Sequence, residues 1–137
     1  MRTLLTALVT LSGCQAAKRK LDDPARQDRD YAQGRVKLTV LRNEGAAFGL
    51  PVPRCVVLGA SAAALGALLC RRKDRPVSTG LILGGGLSNL LERLNGGSVY
   101  DYVQFPKAPE PLRNYVFNLA DFAIFAGGLG LLLRRKK

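Results

Sequence analysis

Apolar residues in this 137-residue chain fall into four blocks, at about 3–18, 52–70, 77–95 and 115–133, and charged residues gather between them. Blocks of this length predict helices, since a fully buried strand needs only roughly four to eight apolar residues. A helix that crosses the hydrocarbon of a bilayer needs about 20 residues. The fourth block reaches that length unaided, the second and third reach it with their flanks, and the first is marginal. The pattern therefore predicts an all-α membrane protein, a four-transmembrane-helix bundle forming a single integral domain over residues 1–137, with outer segments at 19–51 and 96–114. In the first outer segment Pro24 and Gly34 punctuate a polar stretch, and Val36, Leu38 and Val40 then alternate. That alternation predicts a strand with one apolar face, so a small extracytoplasmic β element precedes the second helix.

Charge orients the bundle. Arg71-Arg72-Lys73-Asp74-Arg75 joins the second and third blocks, and Arg134-Arg135-Lys136-Lys137 follows the fourth. Short loops rich in Lys and Arg stay cytoplasmic, which puts both termini inside, although Lys18-Arg19-Lys20 in the first outer segment runs against a simple count. A net charge of +11 also raises nucleic acid as a partner, but the cations form no stripe interleaved with aromatics and Trp is absent. With no histidine, and with Cys14, Cys55 and Cys70 at no metal-ligand spacing, zinc hydrolysis, Ser-His-Asp and Cys-His catalysis and haem ligation by histidine lose their usual parts. Cys55 and Cys70 read as small apolar side chains. Glycines cluster in the last two blocks (Gly80, Gly84, Gly85 and Gly86, then Gly127, Gly128 and Gly130), which predicts close packing of those helices.

Polar residues interrupt this apolar background at four places: Arg42-Asn43-Glu44-Gly45-Ala46-Ala47-Phe48, Ser88-Asn89-Leu90-Leu91-Glu92-Arg93, Val99-Tyr100-Asp101-Tyr102 and Asn118-Leu119-Ala120-Asp121. Asn89 and Arg93 are four apart, Asn118 and Asp121 three apart, so each pair shares a helical face. An ionisable group inside an apolar segment is expensive and is retained mainly where it has a function, which singles out Asp121. Counted from Tyr115, Asp121 would lie six residues, or roughly 9 Å, into the fourth span. Asp101, near the same membrane face, supplies a second carboxylate. Two carboxylates held close together share one proton, so one can take a proton from water while the other hydrogen-bonds the carbonyl under attack; no metal or cofactor is required. Taken singly, each residue has a plainer reading: a solvated loop for Asp101, a partner of Arg93 for Asp121, caps or interhelical bonds for the asparagines, and snorkelling for Arg93.

The motifs Arg-Asn-x-Gly-Ala-Ala-Phe, Asn-Leu-x-x-Arg, Val-x-Asp-Tyr and Phe-Asn-Leu-Ala-Asp, in that order over nearly the whole chain, resemble signal peptidase II, the aspartic endopeptidase family of the bacterial cytoplasmic membrane. The resemblance implies cleavage of signal peptides from diacylglyceryl-modified prolipoproteins by a monomeric, cofactor-free, multi-pass enzyme whose active site lies near the outer face. It implies Asp101 and Asp121 as the catalytic pair, with Asn43, Asn89, Arg93 and Asn118 contacting substrate or supporting the pair, Gly85 one turn before Asn89, and Lys18 at the end of the first span. Three positions depart from the pattern: Cys14 stands where the family usually has Asp, Glu92 where it has Asp, and Ser88 where it has Gly. The alternatives are a non-enzymatic membrane bundle, transport-like or a degenerate homologue, and a lipoprotein lipidated at Cys14, because Leu11-Ser12-Gly13-Cys14 itself reads as a lipobox.

Overall fold

The computed structural model of the chain describes residues 1–45, 50–70 and 75–133. Four helices, α1 (Arg2–Leu21), α2 (Arg54–Cys70), α3 (Pro76–Gly96) and α4 (Leu119–Leu132), overlap the four apolar blocks. Ala46-Ala47-Phe48, the Arg71-Arg72-Lys73-Asp74 run and Arg134-Arg135-Lys136-Lys137 lie outside the described residues.

Helix α3 is the central element. It starts on Pro76, whose missing N–H is one the first turn leaves unpaired anyway, and stops at Gly97, which takes φ +78° while its N–H bonds Arg93 O. Two sides of α3 carry small residues. On one, a Cβ at Gly80 or Gly84 would come within 2.7 Å of Thr3 O or 2.5 Å of Ala7 O of α1. On the other, a Cβ at Gly85 would meet Ala120 O at 2.7 Å, and one at Gly127 of α4 would meet Ser78 O at 2.6 Å. Close packing through glycine is thus found as expected, except at Gly128, which has open space beside it. Gly86 faces α2, where Leu65 fills the gap.

The segments between the helices form an antiparallel sheet in the order β1 (Arg29–Tyr31), β2 (Val36–Asn43), β3 (Val99–Gln104), β4 (Val116–Phe117). Strand β2 is the one the alternation predicts, but its register shifts between Leu38 and Leu41, which face Val103 and Asp101. That irregularity puts an extra residue on β2 and breaks the alternation, leaving Val40 exposed instead of on the apolar face. The second correction concerns the fourth block. Val116 and Phe117 pair with Gln104 and Val103, so the chain stays extended until Asn118 and the helix begins at Leu119. Asp121 therefore sits in the first helical turn, not six residues deep, and Asn118 and Asp121 meet as cap and third helical residue, not as neighbours on one helical face.

Among the described residues no helix is long and apolar enough to cross a membrane. At 1.5 Å per residue, the 14 residues of α4 and 17 of α2 span roughly 21 and 26 Å, below the ~30 Å of hydrocarbon. Strand pairing at 116–117 is what shortens α4. The distribution of polarity is also reversed from that of a water-soluble domain: Lys18, Ser88, Asn89, Arg93, Asp101 and Asn118 are buried, while Leu4, Leu5, Leu8, Val56, Phe125, Leu129 and Leu132 are exposed.

Candidate active site

All the buried polar groups named by the sequence gather at one end of the bundle. The C-terminal turns of α1 and α3, the first turn of α4, the start of α2, the end of β2 and the middle of β3 meet there. Asn118 lies at the centre and is fully buried. Its side-chain oxygen accepts from Asp121 N at 3.1 Å, while Asp121 Oδ2 accepts from Asn118 N at 2.8 Å, a reciprocal cap that pairs the Asn118 amide, gives the Asp121 amide a second acceptor beside Asn118 O and fixes the Asp121 carboxylate. The two protons of Asn118 Nδ2 go to Asp101 Oδ1 at 2.6 Å and Asn89 Oδ1 at 3.2 Å. Asn89 Nδ2 in turn donates to Asp121 Oδ1 at 3.2 Å, and Asn43 Nδ2 donates to Asp101 Oδ2 at 3.3 Å. One residue thus touches both carboxylates, and two more asparagines hold one each.

Asp101, Asp121, Asn43, Asn89, Arg93 and Asn118 line a single open cavity of about 920 Å³ between α2, α3, α4 and the sheet. Its remaining wall is mostly apolar, including Val56, Leu65 and Leu68 of α2 and Phe125 of α4. Arg93 donates to Gly45 O at 3.0 Å, and its Nε is buried with no bond among the described residues. Lys18 and Gly85 do not line the cavity. Lys18 stands behind Asn89, donating to its Oδ1 at 3.3 Å, and forms an ion pair with Glu92. Gly85 lets α3 approach Ala120 of α4, the residue before Asp121.

Burial governs the protonation of Asp101. Burial, reinforced by the charge of Asp121, pushes Asp101 up to about 6 against bonds from Asn118 and Asn43 and the charge of Lys18, which pull it down. Asp101 is only 4% exposed. Tyr102, beside it, accepts from Leu119 N at 3.0 Å and so anchors the start of α4, and burial pushes its hydroxyl up to about 12.

Three supports escape a reading of single motifs. Ser88 is fully buried and accepts from Gln15 at 3.1 Å and from Lys18 at 3.5 Å. Glu92 binds Lys18 with one oxygen and Tyr100 N with the other, the latter at 2.8 Å. Tyr102 joins β3 to α4. The spacing carried a signal for the first two: Cys14 and Lys18 are four apart on α1, Ser88 and Glu92 four apart on α3, so two matched polar stripes face each other. Cys14 is itself completely buried within α1 and hydrogen-bonded to Ser88.

Fold and site together define a helical protein that brings two carboxylates to one peptide-sized cavity through a shared asparagine. Comparison with known proteins gives this class a family. The profile of "Signal peptidase (SPase) II" matches residues 7–135. Lipoprotein signal peptidases of Syntrophomonas wolfei and of a Methylobacterium species are 40% and 38% identical, over 79% and 95% of this chain and 73% and 86% of theirs. A solved structure described as a bacterial membrane enzyme, determined by the in meso method at 2.3 Å, shares the fold with a TM-score of 0.81 at 22% identity, over 98% of this chain and 93% of that one. The chain belongs to the signal peptidase II family.

Proposed function

We propose that this chain is a membrane aspartic endopeptidase that removes signal peptides from diacylglyceryl-modified prolipoproteins, with Asp101 and Asp121 as its catalytic pair. The observation that carries the reading is the Asn118 amide, which bonds Asp101 with its nitrogen and caps Asp121 with its oxygen at the wall of a cavity large enough for a peptide segment. Family membership supplies the activity, since the relatives are lipoprotein signal peptidases.

Asp101 is the member that holds the shared proton, because it is deeply buried and is raised to about 6 by burial and by its neighbour's charge. Asp121 is the ionised member, accepting from Asn118 N and Asn89 Nδ2 at the N-terminus of α4, where the helix dipole favours an anion. Asp121 takes a proton from a water lodged between the two carboxyls as that water attacks the amide carbon. Asp101 hydrogen-bonds the carbonyl oxygen and then passes a proton to the leaving amine. Asn43 and Arg93, at the cavity wall, orient the peptide backbone. The apolar faces of α2 and α4 receive the signal segment.

The bundle lies in the bacterial cytoplasmic membrane as one monomeric integral domain, with both termini inside and the carboxylates close to the outer interface. The large apolar side chains exposed along α1, α2 and α4 support contact with lipid, and none of the 17 residues of α2 is fully buried. Helices shorter than the hydrocarbon are accommodated by local thinning or tilt, at modest energy per ångström. Purified protein in detergent, given a diacylglyceryl-modified prolipoprotein, tests the reading by product mass: cleavage before the lipidated cysteine, absent in Asp101→Asn and in Asp121→Asn, is expected. Cleavage that persists in either variant overturns it.

A further inference from the structure

A buried charge cluster adjoins the aspartate pair, and the mechanism above uses only its Arg93. Lys18 behind the site and Arg93 at the cavity wall supply two cations; Glu92 supplies one anion besides the pair itself. If the pair carries a single charge, cations and anions are equal in number. Buried charge that is not balanced is costly, so this equality is itself a constraint on how many protons the pair holds. Cys14 makes the balance specific to this chain, because a neutral thiol faces Lys18 where a carboxylate would add another negative charge.

Glu92 is also the mechanical link between the two halves of the site. One of its oxygens meets Lys18 Nζ, which bonds Asn89 Oδ1 at 3.3 Å, and Asn89 holds Asp121. Its other oxygen accepts from Tyr100 N at 2.8 Å, the amide of the residue directly before Asp101. Its side chain is 18% exposed and that of Lys18 is 7% exposed, so neither partner is easily replaced by water.

We infer that Glu92 is a positioning residue that sets both the placement and the charge state of the Asp101/Asp121 pair, by clamping Lys18 on one side and the Tyr100 amide on the other. The inference rests on the aspartic reading of the site. The ionisable groups facing the pair are Lys18 and Cys14 from α1, Glu92 and Arg93 from α3, and Tyr100 and Tyr102 from β3; Arg42, Glu44 and Tyr115 stand at the cavity mouth. Arg42 is exposed there and is engaged by Asp22 and the Tyr100 ring.

Glu92→Gln keeps an oxygen for the Tyr100 amide but removes the charge, leaving Lys18 unbalanced. The pair should then give up its shared proton more readily. Its kcat should fall at least tenfold with KM changed less than about threefold, and the basic limb of the pH–rate profile should move down by roughly half a unit or more. Glu92→Asp, which restores the charge, should recover the parent limb. Cys14→Asp adds a negative charge facing Lys18 and should move the limb up. A second readout needs no catalysis: the difference in Tm between the parent protein and its Asp101→Asn variant, followed from pH 4 to 8, reports protonation of Asp101. The difference levels off at about pH 6 in the parent, and that levelling point should fall when both proteins also carry Glu92→Gln and rise when both carry Cys14→Asp. Unmoved limbs and levelling points in both backgrounds overturn the inference. A protein that never cleaves, yet shows the shifted levelling points, overturns the aspartic reading and leaves the charge clamp standing.

Discussion

At the scale of single residues, stability and the proposed catalysis turn on side chains whose value lies in having no spare bonding capacity. Asn118 uses both amide protons and its oxygen, each on a different functional group. Replacing it by Leu would strip Asp101 Oδ1 of its 2.6 Å donor, remove one of two donors to Asn89 Oδ1 and take the side-chain cap from the Asp121 amide; we expect a loss of roughly 2–4 kcal/mol in stability, read by thermal unfolding in detergent, and cleavage below detection. Asp101 carries a pH signature. Its carboxyl stands at about 6 in the fold against an ordinary 3.8, so folding favours the protonated form. That contribution is fully present below pH 3.8 and is lost as the pH rises through 6, an effect on the order of 3 kcal/mol across the window. Asp101→Asn should therefore flatten the fall in Tm between pH 4 and 7, and an unchanged slope would contradict the burial assigned to this group.

At the scale of elements, the site is a meeting of ends. The first turn of α4, the last turns of α1 and α3, and β3 each bring one or two groups, and glycine sets how closely they approach. Gly85→Leu would drive a branched side chain into Ala120 O and push Asp121 away from Asn89. Overpacking of this kind costs about 1–3 kcal/mol, and the expected signature is a kcat that falls at least a hundredfold beside a modest drop in Tm. Tyr102→Phe removes the oxygen that anchors Leu119 N and should lower stability by about 1 kcal/mol while leaving the carboxylates in place. The four helices were legible because apolar block length is a robust signal, and the carboxylates, asparagines and Arg93 because they interrupt those blocks. Strands β3 and β4 were not legible. Val99-Tyr100-Asp101-Tyr102 carries its charge in a fully buried strand, and Val116-Phe117 merges without a break into an apolar run, so only pairing with β2 and β3 reveals either. Missing β4 is what placed Asp121 too deep in the fourth helix. The roles of Ser88 and Glu92 stayed hidden for a similar reason, since their partners lie about seventy residues away on α1.

At the scale of the whole molecule, a polar interior wrapped in apolar side chains suits a protein whose solvent is lipid. Topology can be read from two native thiols, because Cys55 and Cys70 are both free and exposed at opposite ends of α2. A membrane-impermeant maleimide applied to intact spheroplasts should label Cys55, with Cys70 labelled only after permeabilisation; the reverse order would invert the orientation. Central to the proposed chemistry is that Asp101 and Asp121 act as one unit on one water. The most direct measurement is a kinetic cycle with a diacylglyceryl-modified prolipoprotein, comparing Asp101→Asn, Asp121→Asn and the double variant. Residues that act together are non-additive, so each single change should reduce kcat by about a thousandfold or more and the double variant should be no slower than either. Two independent, multiplying losses, or a single variant that retains the parent rate, would contradict a shared catalytic pair.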